Sequence, residues 1–250
     1  MPVSADRRLL IVNADDLGAS HGINRGILDG HRKGVVTSAS LMVTGRAVGD
    51  AVALSERSPD LAIGLHYDVC GEDERDFDLE RPGAVGEEFR RQLEEFHKLL
   101  GRLPTHVDSH RHVHRVPGAW EQVLEVVEPI GVPVRGDGRV NMIGGFYAQW
   151  EWGVTNLDHV SLRFLRQLLR DEVQEGWNEI SCHPGYMSDG YRSVYARERE
   201  HELRTLTDPA VGTTLRALGI RLLSYAHYQS PHLPRSAPGD DRSGETRWVG

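Results

Sequence analysis

Short apolar runs alternate with amphipathic stretches along most of this chain. Seven runs have the length and content of strands: residues 8–13, 36–43, 61–69, 105–109, 132–135, 178–183 and 220–225. Between most of them, apolar residues recur at helical spacing. Residues 22–33 place Ile23, Ile27 and Leu28 on one face, and residues 46–57 do so with Ala47, Ala51 and Leu54. Residues 85–100 align Phe89, Leu93, Phe96 and Leu100. Asp208 before Pro209 marks a helix start, with Asp as N-cap and Pro in the first turn. That helix runs towards Leu218 and stops at Gly219.

A βαβα rhythm over seven strands implies a parallel sheet, either closed as a barrel or wound open. No GxGxxG or GxxxxGK[ST] follows the first strand, which removes the usual nucleotide-binding reason for an open sheet. Two stretches interrupt the rhythm. Residues 70–83 contain the charged run GEDERDFDLERPG and read as a loop. Residues 229–250, with Pro231, Pro234 and Pro238, read as a flexible tail.

Composition narrows the function classes. The 250 residues suit one α/β barrel and need no disulfide staple. A formal net charge of −8 disfavours nucleic acid as a partner, because phosphates require a basic face. The two cysteines, Cys70 and Cys182, cannot build a disulfide framework or a four-thiolate zinc site. The apolar run from Leu9 to Val12 is far shorter than the roughly 7–15 residues of a secretory core. No run approaches the roughly 20 apolar residues of a membrane span, so a cytoplasmic protein is expected. Of 29 basic residues only Lys33 and Lys98 are lysines, both in polar, helix-like contexts, which leaves little room for a lysine mechanism.

Polar residues gather at the C-terminal ends of the expected strands, where parallel α/β folds build their sites. In Asn13-Ala14-Asp15-Asp16-Leu17-Gly18 two adjacent carboxylates repel, and a cation is the simplest compensation. The plainer reading is a turn, since Asp-Asp near Gly is ordinary turn chemistry. His66, in Gly64-Leu65-His66-Tyr67-Asp68, is either a core histidine or a ligand. Residues 105–114, THVDSHRHVH, hold four histidines. If they are extended, His106, Asp108, His110, His112 and His114 share one face, which could ligate a metal and orient its ligands. The spacing does not say which histidine ligates. In Ser181-Cys182-His183-Pro184-Gly185-Tyr186 the Pro-Gly turn would hold the His183 imidazole at the mouth of the sheet. Together these residues suggest one mononuclear centre in which one Asp and two His leave open positions. No GxSxG nucleophile elbow is present.

The ordered set VNADDLG (12–18), VTSASLMV (36–43), LAIGLH (61–66), PTHVDSHRHVH (104–114) and CHPGY (182–186) resembles the YdjC-like carbohydrate deacetylase family, which includes the ChbG-type chito-oligosaccharide deacetylases. The hopanoid-biosynthesis-associated branch is also similar, notably around residues 31–43. The resemblance implies an irregular seven-stranded (β/α) barrel over residues 1–228, with 229–250 as the tail. It implies metal-dependent removal of an acetyl group from an N-acetylated amino sugar. By position, Asp16, His66 and His110 would be the metal ligands, Asp15 the general base and His183 the general acid. Asp108, His112, His114 and Arg111 would support the ligands or meet substrate. One divalent ion is implied, magnesium or zinc first, with manganese, cobalt and nickel also compatible.

The chain departs from the chito-oligosaccharide members after His66, where it reads YDVCGEDERDFDLE instead of a more apolar run with a longer insert. Loops on that face choose substrate, so an acetylated amino sugar on a lipid or secondary metabolite is as open as a chito-oligosaccharide. Competing readings are a barrel phosphoesterase using Arg111 and Arg115 as a clamp, a sugar isomerase, or a non-catalytic metal- or sugar-binding protein. A homodimer is the base-rate expectation for its assembly.

Overall fold

The run RLLIVNADDL forms β1 (Arg8–Leu17), four residues longer than the apolar pattern indicated, because the strand carries its acidic residues to the end. The computed structural model describes residues 7–71, 77–79, 81–187 and 190–228. Residues 72–76 and 80 of the charged loop, and the whole of 229–250, lie outside them.

Along the chain β1 is followed by α1 (His21–Lys33), β2 (Ser38–Leu41), α2 (Val48–Glu56), β3 (Ala62–Tyr67), α3 (Ala84–Leu100) and β4 (Val107–Ser109). Then come α4 (Ala119–Val127), β5 (Asn141–Ile143), α5 (Leu162–Asp171), β6 (Gly176–Cys182), α6 (Arg197–Leu206), α7 (Pro209–Ala217) and β7 (Arg221–Leu222). The sheet order is β4-β3-β2-β1-β6-β5, with β7 also on β1 and every pair parallel. The first half of β1 lies between β6 and β7, and its second half lies between β6 and β2. One strand with three neighbours requires a strongly curled sheet, and the result is the irregular seven-stranded (β/α) barrel.

The two faces of the strands do different work. Leu10, Val12, Ala39, Leu41, Ile63, Leu65, Val107 and Ile180 belong to the main apolar core with the helices. The alternate residues, Asn13, Asp15, Ser38, Ser40, His66, Asp108 and Glu179, are buried and polar. They fill the inside of the barrel. Its floor is a small apolar cluster of Ile11, Ala62, Val140 and Tyr225. Capping follows local chemistry: Ser20 accepts from Ile23 N–H, Ser161 from Phe164 N–H, and Asp208 from Ala210 N–H ahead of Pro209. Each such cap contributes about 1 kcal/mol.

Two expectations fail locally. Residues 132–135 are not a named strand; Val134 makes a single parallel bridge to Val107. Pro133 has no N–H, and Gly131 and Gly136 turn the chain at positive φ on both sides. The segment can therefore exchange only Val107 N–H to Pro133 O and Arg135 N–H to Val107 O. The next strand in the chain, β5, pairs instead with β6 at the other end of the strand order. Residues 105–114 are not extended throughout. The chain leaves β4 at Ser109 and turns over His110–Arg115, with Arg111 and His112 in left-handed conformation at φ 51° and 52°. The shared face of five residues therefore does not form.

Gly64 in β3 lies flat against the His106 imidazole. A Cβ there would come 2.4–2.5 Å from three ring atoms. His106 is also held by Ser40, at 3.1 Å from Nε2, and by a 4.0 Å stack on Tyr225, so it cannot easily give way. Gly64→Ala is expected to cost about 1–3 kcal/mol, read as a lower midpoint in thermal unfolding. An unchanged midpoint would show that the imidazole has room to swing.

Candidate metal and catalytic site

The site is assembled at the C-terminal ends of β1, β3, β4 and β6. A regular strand would turn adjacent side chains to opposite faces; Asp16, at φ 68° where the register with β2 shifts, breaks that alternation, so Asp15 and Asp16 both stay at the site with different partners. Both acids are buried. Each is neutralised by its own arginine, which the sequence reading missed in favour of a cation alone. Arg135 grips Asp15 with two parallel bonds, Nη1 to Oδ2 and Nη2 to Oδ1, both 2.7 Å. Arg199, from α6, donates to Asp16 Oδ2 at 2.7 Å. Burial pushes both carboxyls up, but the guanidiniums overcome it and hold both below the usual range, Asp16 well below. Both are ionised at neutral pH.

The other oxygen of Asp16 meets two imidazoles. His66 Nε2 and His110 Nδ1 each lie 3.2 Å from Asp16 Oδ1. His66 donates from Nδ1 to Asp108 Oδ1 at 2.7 Å. That bond assigns a proton to Nδ1 and leaves Nε2 facing Asp16. Asp108 is itself fixed by Ser40 Oγ at 2.6 Å and by Arg135 Nη2 at 2.7 Å. Burial lowers the His66 pKa, yet Asp108 and Asp16 raise it well above normal. A pocket that pulls a proton onto His66 in this way attracts positive charge of any kind.

The donors also suit a divalent cation. The Nε2 atoms of both His66 and His110 are buried without a hydrogen-bond partner; the His66 contact to Asp16 is close but misaligned. One ligand atom each from Asp16, His66 and His110 lies within 4.8 Å of the others. Asp15, His66 and Asp108 form a second such group. There, however, the carboxylate oxygens already accept from Arg135, Ser40 and Asn13.

His183 follows β6, with Nε2 3.9 Å from Asp15 Oδ2. Its backbone N–H donates to Glu202 Oε2 at 2.5 Å, and Tyr195 O–H donates to Glu202 Oε1 at 2.5 Å. Burial lowers His183 to about 4, against the pull of Asp15 and Asp16, so the ring is neutral at pH 7. Burial raises Glu202 to about 8. The loop bearing His183 lies on α1 at a glycine–glycine contact. A Cβ on Gly26 would come 2.4 Å from Gly185 Cα, and Tyr186 N–H donates to Gly22 O.

The remaining expected residues separate. His114 is buried with both nitrogens used, Nδ1 by Ser109 Oγ and Nε2 by the Arg135 carbonyl, which ties the ring to the Arg135 main chain. His112 is half-buried and neutral, lowered by burial to about 3. Arg111 lies over the Trp152 ring, 5.1 Å from its centroid.

The residues that sequence reasoning missed are Arg135, Arg199, Glu179 and Glu202. Arg135 is 1% exposed; Nε donates to Glu179 Oε1 at 2.9 Å, and Tyr225 O–H donates to Glu179 Oε2 at 2.7 Å. A signal for Arg135 existed, since it ends the 132–135 run. Arg199 and Glu202 lie in a helix whose sequence, REREHELRTL, resembles a solvated face. Replacing Arg135 with Met leaves Asp15, Asp108 and Glu179 without their guanidinium. Arg135→Met is expected to lower stability by about 3–5 kcal/mol in urea unfolding. A loss below about 1 kcal/mol would mean that the carboxylates find another partner.

Residues 9–217 match the family described as YdjC-like protein. A carbohydrate deacetylase of Geobacillus stearothermophilus is 32% identical over 247 residues, covering 88% of this chain and 98% of that protein. A chitooligosaccharide deacetylase of Escherichia fergusonii is 32% identical over 252 residues, covering 87% and 98%. A solved structure from Enterococcus faecalis, described as a candidate cellobiose-phosphate cleavage protein, has the same fold. It superposes with a TM-score of 0.71 at 24% identity, covering 88% of this chain and 98% of that one. On the extent of the family match and the identity to both relatives, this chain belongs to the YdjC-like family.

Proposed function

We propose that this protein is a metal-dependent hydrolase that removes the acetyl group from an N-acetylated amino sugar. The observation that carries the reading is the buried cluster of Asp16, His66 and His110, whose ligand atoms lie within 4.8 Å of one another, with His66 Nε2 left without a hydrogen-bond partner. Asp16, His66 and His110 would hold the ion. When bound, a divalent cation lowers the pKa of water and polarises an acyl carbonyl. Two imidazoles favour zinc by softness, and the carboxylate admits magnesium, manganese, cobalt or nickel. The deacetylase names of the two relatives support the acyl reaction and a carbohydrate substrate.

Asp15 is the proposed general base. It is ionised, and Arg135 and Asn13 fix its plane. Arg135 makes it a weaker base but holds it in one orientation, which is the larger need in a reaction limited by geometry. His183 is the proposed general acid. It starts neutral, so it must first receive a proton at Nε2. Asp15 Oδ2, 3.9 Å from Nε2, would pass on the proton it takes from water, and Glu202 Oε1 lies 3.9 Å from Nδ1 on the other side of the ring. The Glu202 bond to the His183 backbone holds that ring at the mouth while the leaving amine takes the proton.

The test is acetate release from N-acetylglucosamine, chitobiose, longer chito-oligosaccharides and N-acetylglucosaminyl conjugates. Asp15→Asn is expected to reduce turnover by about 10²–10⁴ while binding metal as wild type does. Acetate released equally by both proteins would remove Asp15 from the chemistry. Stoichiometric metal without acetate would favour a binding protein, and phosphate release from sugar phosphates would favour the phosphoesterase reading. Chelator-stripped protein is expected to lose activity and to regain it on adding one divalent ion per chain. Full activity after chelation, with no metal detectable by atomic emission, would contradict metal dependence.

A further inference from the structure

Six large apolar side chains stand exposed among the described residues, and four of them cluster on one rim of the site. Trp150, Trp152 and Val154 are 50%, 48% and 53% exposed, and Val194 is 54% exposed. The first three ride on a small hairpin in the loop after β5, closed by an antiparallel bridge between Glu151 and Val154. Exposed tryptophan costs free energy in water, so a cluster of this kind on a folded surface marks a contact site.

The hairpin is rigidly built. Gln149 Nε2 donates to Val194 O and to Glu198 Oε1, both at 3.0 Å, tying the hairpin base to the segment before α6. Ala148 N–H donates to Tyr195 Oη at 2.9 Å. The Trp150 indole stacks on His159 with centroids 3.6 Å apart and donates from Nε1 to Gly145 O. The last two contacts fix the Trp150 ring plane in advance.

The hairpin is also continuous with the chemistry on both sides. At its base Tyr147 stacks on Tyr195 and lies 5.3 Å from the His183 ring. At its tip Trp152 lies under Arg111, the residue after the ligand candidate His110. The apolar rim thus spans the mouth from the proposed acid to a proposed metal ligand.

We propose that Trp150 and Trp152 form a stacking wall that recognises the part of the substrate beyond the acetamido sugar, through a flat apolar face. This rests on the deacetylase reading for the identity of the sugar. Two groups present such a face: the C–H side of a second sugar ring, and the ring of an aromatic aglycone. Either would stack on the Trp150 indole at little entropic cost, since that ring is already held by His159 and Gly145, while Trp152 extends the same apolar rim. The wall selects substrates longer than a monosaccharide.

The experiment is a calorimetric titration of the full chain, loaded with one divalent ion, using three ligands: N-acetylglucosamine, N-acetylchitotriose and an aryl N-acetylglucosaminide. The proteins are wild type, Trp152→Ala, Trp150→Ala and Trp152→Phe. Wild type is expected to bind at least one extended ligand about 10-fold or more tightly than the monosaccharide. That advantage should fall several-fold in each Ala variant and survive in Trp152→Phe. The chitotriose and aryl arms tell which face the wall accepts. Equal affinity for all three ligands, no binding of either extended ligand, or an undiminished advantage in both Ala variants would overturn the proposal. Acetate release is scored separately. Tight binding of an extended ligand without acetate release would sink the deacetylase reading and leave the wall standing.

Discussion

Arg135 is wholly enclosed by protein and touches three carboxylates, those of Asp15, Asp108 and Glu179. A lone charge in that position would be intolerable, since moving an ion out of water costs several kcal/mol even after relaxation. The barrel interior is therefore organised as an ionic lattice instead of a layered apolar core. Four buried carboxylates, Asp15, Asp16, Asp108 and Glu179, face two buried guanidiniums, Arg135 and Arg199, a formal surplus of two negative charges. Burial pushes the Glu179 carboxyl up, against the pull of Arg135. Negative charge gathers around His66, where Asp16 and Asp108 approach from opposite sides.

This lattice gives two neighbouring acids distinct environments. Asp15 lies in the plane of a guanidinium and close to His183. Asp16 turns through a left-handed residue towards His66 and His110. A strand that continued regularly would turn one of the two acids to the outer face, and the unfavourable conformation of Asp16 that keeps both at the site is concentrated where the proposed chemistry occurs. The same holds for Arg111 and His112, two consecutive left-handed residues immediately after His110.

The sequence revealed the alternation of strands and helices because the outward faces of the strands and the inward faces of the helices share one apolar core. It also singled out the short motifs that carry Asp15, Asp16, His66, His110 and His183, which the fold brings together at the strand ends. What it hid was long-range. Arg135 meets Asp15 across 120 residues, and Arg199 meets Asp16 across 183, so no local period could pair them. Glu202 looks like any helix-surface acid until the fold buries it beneath His183. The histidine run after residue 105 was misread for a different reason. Alternation is a property of extended chain, and the chain stops being extended at Ser109. A polar stripe at every second position, as in Ser38 and Ser40 or Asn13 and Asp15, was the readable sign that the barrel interior is wet in character.

The glycine–glycine contact between α1 and the loop after β6 has a consequence for how this protein can change. With Gly185 Cα 2.4 Å from where a Gly26 Cβ would sit, and with Ile23 and Arg199 within 3.1–3.3 Å of where a Gly185 Cβ would sit, the His183 loop rests on main chain. Surfaces made of side chains can drift by exchanging one shape for another, each step small. A backbone-on-backbone contact offers no such gradual route, because every alternative residue adds bulk and none removes it. The height of His183 above the site is thereby quantised. New specificities should arise by remodelling the β5 hairpin and the loop after His66, around an imidazole whose level stays put.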